Sequence, residues 1–303
     1  MGRNEITTDT QLQKKRDWQR ILPGLIISVV SLAIIFYLVK PAELAKAIQL
    51  ADARLVIIGG MFTLFWLIVR GFLWRVLLQE KAPYHQVFFT LAEGYFLNNF
   101  LPFRLGEVAR AILLSRKAQI DFWYVSSTIL IERAFDILMA VGLFLSTLPL
   151  VVGTQSSGQL AAIVGGAVIA GILVLYILAR NQTWAMSTFA QLSIRWAFVQ
   201  RVGNKILPPF FSGLSVLTDG KRFLKSVIWV LINWGVAQAQ YYLVLRAFFP
   251  EAKLLWAAFC MGTAALGIAA PSSPGAIGVF EGAIMFGLAP FALDRSKVLA
   301  FAI

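Results

Sequence analysis

The chain alternates long apolar runs with short polar clusters. The runs at 21–39, 55–78, 122–151, 160–179 and 227–249 are each about 19 residues or more. That is the length a helix needs to cross a hydrocarbon core of ~30 Å at ~1.5 Å per residue. Two further apolar segments are short and broken. The first, 86–101, contains Glu93-Gly94 and Asn98-Asn99 and stops at Pro102; the second, 254–293, is cut by the run from Pro271 to Gly278. The pattern predicts an all-α polytopic membrane protein with about six full spans plus two interrupted, re-entrant segments.

The polar stretches complete this map. Residues 1–20 form a basic tail with no short apolar core and cleavage site after it, so it is expected to be a cytoplasmic tail and not a signal peptide. Residues 42–53 read as a short amphipathic piece at the far interface, and 106–119 as an amphipathic helix carrying Arg110, Arg116 and Lys117. Residues 180–225 mix Arg180, Arg195, Arg201 and Lys205 with Trp184, Trp196 and Phe198. They are expected to form two interfacial helices on an anionic leaflet, split at Pro208-Pro209. Residues 21–303 then make one transmembrane domain. The apolar run at Ile303 is too short for a span, so the sequence is expected to be part of a longer chain.

Composition sharpens the class. Of 303 residues 59% are hydrophobic and 14% charged, against ~25% charged in soluble domains. The net charge of +12 is read as topology and attraction to a lipid surface, with no nucleic-acid partner. Counting positives puts the tail, 75–81, 104–117 and 180–225 on the cytoplasmic side of a cell membrane. The break after 86–101 then faces inward and the break near 271 faces outward, the arrangement of transporters built from inverted repeats. A weak echo, Pro102 to Gly106 against Pro274 to Gly278, agrees. With one Cys and one His there is no disulfide framework, no metal or other cofactor is expected, and no catalytic residue is assigned.

Three clusters carry candidate chemistry. At the first break Asn98, Asn99, Pro102, Arg104, Gly106, Glu107 and Arg110 put forked cations and amides beside a new helix start, which suits an anionic headgroup. The plainer reading is an interfacial turn touching bulk lipid phosphates. In the third run Glu132, Arg133 and Asp136 lie within one helical turn. Unpaired, each would cost at least ~2.5–3.5 kcal/mol at that depth, so they are expected to pair with one another or with Arg70, Arg104 or Arg110. A structural ion-pair knot and a proton- or substrate-linked role both fit. At the second break Pro271, Pro274, Gly275 and Gly278 forbid continuous helix, Ser272 and Ser273 can cap a half-helix, and Glu281 follows. A cavity-lining element and a tight external loop are the two readings.

Taken together, these clusters resemble the flippase-like transmembrane domain of the lysylphosphatidylglycerol synthases. The likeness rests on Asn98, Pro102, Arg104, Gly106, Glu107 and Arg110, on Glu132, Arg133 and Asp136, and on Pro271, Ser273, Pro274, Gly275, Gly278 and Glu281. It covers nearly the whole chain, with Ala276 as one departure where many members carry a second Gly. The resemblance implies a polytopic helical bundle and, in the fused synthases, flipping of an aminoacylated phospholipid. A stand-alone member without the aminoacyl-transferase domain is expected, so lipid synthesis is not implied. The function expected here is movement of an anionic lipid, a phospholipid or polyprenyl phosphate, between leaflets. The alternative is a membrane enzyme or accessory subunit acting on a lipid-linked substrate. A homo-oligomer is compatible with either.

Overall fold

The computed structural model describes residues 41–101, 104–153, 157–269 and 274–303. The basic tail, the first expected span, Pro102, Pro271, Ser272 and Ser273 lie outside the described residues. Among those described, every regular element is helical. Four helical runs are long and apolar enough to cross a membrane: Ala53–Leu77, Phe122–Val152, Gly220–Phe248 and Pro274–Phe291. The bent pair Ile169–Arg180 and Gln182–Leu192 makes a fifth if taken as one span.

Helix α1 is Pro41–Gln49, α2 Ala53–Leu77, α3 Tyr84–Asn98, α4 Leu105–Ala118 and α5 Phe122–Val152. Then follow α6 Ser157–Arg180, α7 Gln182–Leu192, α8 Ala197–Leu214, α9 Gly220–Phe248, α10 Leu254–Ala269, α11 Val279–Leu288 and α12 Arg295–Ala302. Three long helices start on an aspartate that accepts from their first free N–H groups: Asp52 for α2, Asp121 for α5 and Asp219 for α9.

The centre of the bundle is α2 with α9 and α5 antiparallel to it. The Asp52 N–H donates to Ala247 O at 3.0 Å near one end, and Gln240 Nε2 donates to Thr63 Oγ1 at 2.8 Å. Near the other end Lys225 pairs with Glu80, Trp74 Nε1 donates to Thr128 Oγ1 at 3.1 Å, and the Tyr124 hydroxyl donates to Leu78 O at 3.1 Å.

Two helical hairpins flank this centre, one from each end. The α3–α4 hairpin begins and finishes at the Leu78–Tyr124 end, because the turn after α2 leads into α3 and α4 leads directly into α5. The α10–α11 hairpin belongs to the opposite end, where α10 follows α9 and α11 leads to α12, whose Ser296 hydroxyl donates to Glu43 of α1 at 3.2 Å. The tips meet inside the bundle: Arg104 Nη2 donates to Ile268 O at 2.5 Å. Buried apolar side chains gather into two main clusters, one around Trp74, Leu91 and Leu214 and one around Leu245, Cys260 and Ile284. The hairpin tips lie between them.

Two boundaries differ from the sequence expectation, and the first is the start of α9, which is Gly220 and not 227, inside the stretch expected to be interfacial. At the second, helix α8 runs unbroken through Pro208 and Pro209, and the break falls at Ser193–Trp196, between α7 and α8. Each proline removes its own N–H bond and crowds the carbonyl four residues back. Packing beyond them holds the helix, since Phe211 and Leu214 are buried and Gly213 lies so close to α5 that an added Cβ would sit 1.8 Å from Ser127 Oγ.

Candidate functional site

Charge is concentrated between the two apolar clusters. Arg70, on α2, donates from Nε and Nη2 to Glu132 Oε1 at 3.1 and 2.6 Å. Its Nη1 donates to Asp136 Oδ1 at 2.8 Å and to Asn233 Oδ1 of α9 at 3.2 Å, and its Nη2 also pairs with Asp136 Oδ2. Arg110, on α4, grips Glu132 with both Nη atoms at 3.2 and 2.8 Å while its guanidinium lies 4.1 Å from the centre of the Trp74 ring. Arg133 reaches Glu132 at 2.8 Å, Asp136 at 3.1 Å and Glu107 at 3.5 Å. Glu132 therefore takes three guanidinium partners and is 0% exposed; Arg70 and Arg110 are each 2% exposed.

The expected pairing of Glu132 and Asp136 with Arg70 and Arg110 is what forms. Such a network is favourable only when nearly every lone pair is filled, because desolvating each ion costs several kcal/mol. Four guanidiniums, those of Arg70, Arg104, Arg110 and Arg133, face three carboxylates, those of Glu107, Glu132 and Asp136. The cluster carries excess positive charge, and the buried Nε atoms of Arg133 and Arg110 have no partner among the described residues.

The half-exposed members of this network form one wall of a cavity of about 760 Å³. Arg104, Glu107, Arg133 and Asp136 line it, with side chains 29, 23, 23 and 21% exposed. Arg104 sits in the left-handed region at φ 55 as it begins α4, a conformation that costs a non-glycine residue about 1–3 kcal/mol. Its bond to Ile268 O and its approach to Glu107 at 3.7 Å hold it there. The remaining wall combines aromatics (Trp66, Tyr95, Trp234, Tyr241), amides (Asn98, Asn99, Asn233, Gln240) and an apolar strip from α10 and α11 that includes Leu266 and Phe280. Concave, mostly apolar pockets of ~300–1,000 Å³ with a few convergent polar groups are where ligands bind.

The sequence-predicted residues divide around this cavity. Asn98, Asn99, Arg104, Glu107, Arg133, Asp136 and Gly275 are on its wall. Glu132 and Arg110 lie behind it, supporting Asp136 and Arg133. Gly106 closes the α3–α4 hairpin: its N–H donates to Asn98 Oδ1 at 2.9 Å, and an added Cβ would stand 2.2 Å from Gly94 O. Gly278 and Glu281 set up α11, where the Glu281 carboxylate accepts from the Gly278 N–H at 2.6 Å; Pro274 opens the preceding turn. Pro102, Pro271, Ser272 and Ser273 fall outside the described residues.

Sequence reasoning left Trp66, Tyr95, Trp234 and Tyr241 out of the site, together with Arg70, Asn233 and Gln240. The available signal was the seven-residue spacing of Trp234 and Tyr241 and of Asn233 and Gln240, which puts each pair on one face of a span.

Apolar helices of spanning length around a charge-lined cavity define a multi-pass membrane protein. Residues 21–303 match the family described as the lysylphosphatidylglycerol synthase TM region, and the chain belongs to that family. Among curated proteins it is similar to glycosyltransferase AglD of Haloferax volcanii, 24% identical over 308 residues. That match covers 89% of this chain and 49% of the relative, so the chain spans about half of that protein's length. No solved structure matches the chain.

Proposed function

We propose that this protein moves an anionic lipid, a phospholipid or a polyprenyl phosphate, between the leaflets of the cell membrane. One observation carries the reading: a cavity at the meeting point of two opposed hairpins, with an electropositive, half-exposed wall and an apolar strip beside it. A phosphate suits Arg104 and Arg133 as part-exposed cations in a cluster with more guanidiniums than carboxylates, and the α10–α11 strip suits an acyl or prenyl chain. In this reading 21–39 is the first of about six spans, and the two hairpins are re-entrant halves of an inverted repeat. Non-helical backbone at membrane depth is tolerated at their tips because it lines a cavity. The basic end, with Arg75, Lys81, Arg116, Lys117 and Arg222, faces the cytoplasm along with the N-terminus.

The test is lipid movement in sealed proteoliposomes, followed by chemical quenching of outer-leaflet fluorescent phosphatidylglycerol or fluorescent prenyl phosphate. Wild-type protein is expected to expose inner-leaflet lipid faster than protein-free vesicles, and Arg104→Ala to slow this by about tenfold, the equivalent of one charge-assisted contact of ~1.4 kcal/mol. Equal rates for wild type, variant and empty vesicles would contradict the proposal.

A second reading draws on the name of the similar archaeal protein, a glycosyltransferase of which this chain matches about half. The protein is then the membrane part of a system acting on a lipid-linked substrate. Transfer of radiolabelled sugar from a nucleotide sugar into the lipid fraction by the purified protein supports that reading over transport.

A further inference from the structure

We infer that the headgroup taken by this cavity is a glycosyl phosphate, a neutral sugar on the lipid's phosphate. This rests on the transport reading above and names its substrate class. Part of the cavity wall is left unused by a phosphate. A phosphate is only a few times the ~30 Å³ share of a water molecule, so it fills a corner of about 760 Å³ beside Arg104 and Arg133. Next to that corner stand four aromatic side chains from three helices, Trp66 of α2, Tyr95 of α3, and Trp234 and Tyr241 of α9, none of them fully buried. Trp66 and Tyr95 lie with ring centroids 5.6 Å apart at 46° to each other. Such tilted, half-exposed faces offer flat apolar surface to the C–H faces of a sugar ring.

Polar atoms without partners lie among these rings. Asn98 uses Oδ1 on the Gly106 N–H, which leaves its Nδ2; Asn99 uses Nδ2 on Tyr95 O at 3.4 Å, which leaves its Oδ1. Gln240 uses Nε2 on Thr63, which leaves its Oε1. Among the described residues those three atoms, and the hydroxyl of Tyr95, make no hydrogen bond. Donors and acceptors mixed among apolar faces match a ring of hydroxyl groups, whereas an ionised phosphate can use the donors but leaves the Asn99 and Gln240 acceptor oxygens unmatched.

The same aromatics raise a competing idea, since aromatic cages also hold quaternary ammonium groups. The charges disfavour it. Glu107, Glu132 and Asp136 are each already paired with at least one guanidinium, and positive charge is in excess. A cationic headgroup would find no free carboxylate and a repelling wall.

The experiment measures competition for the full-length protein in nanodiscs against a fluorescent prenyl phosphate. The probes are farnesyl phosphate, farnesyl phosphate bearing one hexose, free hexose 1-phosphate and a phosphocholine lipid. The hexosyl lipid is expected to compete at about tenfold lower concentration than farnesyl phosphate, the equivalent of one or two neutral hydrogen bonds with stacking. Gln240→Leu and Trp234→Leu each reduce that ratio towards one, while Trp234→Phe, which keeps a ring, retains more of it. Arg104→Gln weakens both lipids together. Equal competition by the two farnesyl lipids overturns this inference and leaves the transport reading standing. No displacement by either overturns both. Stronger competition by the phosphocholine lipid, or free hexose phosphate as effective as the hexosyl lipid, also overturns it.

Discussion

Glu132 and Arg104 are both charged and both near the cavity, yet their environments assign them opposite tasks. Glu132 is sealed from solvent and balances Arg70, Arg110 and Arg133 at once. Neutralising it leaves buried guanidiniums without a counter-charge, a loss of about 3–5 kcal/mol. Glu132→Gln is therefore expected to lower the unfolding temperature in detergent by many degrees, as read by fluorescence-detected size exclusion. Arg104→Gln, on a 29% exposed side chain, is expected to lose under ~1 kcal/mol by the same assay, because half-exposed ion pairs contribute little. Charged residues one turn apart inside an apolar run made the need for partners legible in the sequence. Which partners was not legible, since Arg70 is 62 positions from Glu132 and only the antiparallel packing of α2 and α5 brings them together. Arg110 looked like a headgroup ligand for the same reason; packing of α4 against Trp74 turns it inward instead.

Among the elements, the α3–α4 hairpin depends on backbone contact at Gly94 and Gly106. A methyl group at 106 would meet Gly94 O at 2.2 Å, a backbone atom that cannot move without parting the helices, and would displace the Asn98 side chain, whose Oδ1 lies at 2.5 Å. Gly106→Ala is expected to destabilise by about 1–3 kcal/mol and to speed hydrogen exchange over 94–110. Gly60→Ala on α2, with nothing within 4 Å, serves as the control. The turn after α2 is fastened differently. Gln79 and Glu80 both adopt positive φ, and Lys225 of α9 donates to Glu80, holding its carboxyl below the ordinary value of 4.5. A lowered folded-state pKa gives stability that is present above pH 4.5 and lost as pH falls through the folded value. Protection of the 78–82 amides, after correction for the slower intrinsic exchange at low pH, should therefore fall on acidification, and Glu80→Gln should remove that dependence. The long helices were legible, because apolar runs flanked by Asp caps leave few alternatives: the expected 122–151 is Phe122–Val152. The run through Pro208 and Pro209 was not, since burial of Phe211 and Leu214 outweighs a local breaking signal.

At the scale of the whole molecule, two apolar clusters leave a charged seam between them, and the opposed hairpins end in that seam. A seam of this kind costs more than an apolar filling of the same space, because its arginines are partly or wholly desolvated. Its outline was half legible. Gly106 and Gly278 marked where α4 and α11 begin, but the aromatic and amide wall is assembled from single residues on α2, α3 and α9, none of which forms a local motif. The central claim is that a phosphate-bearing lipid occupies this seam through Arg104. The most direct measurement is native mass spectrometry of protein released from nanodiscs made with native lipid. Wild-type protein should retain a phosphate-bearing lipid, Arg104→Gln should lose most of it, and Arg180→Gln, at an exposed site on the basic end, should keep it. Equal retention by all three, or no phosphate-bearing lipid on any, would contradict the account.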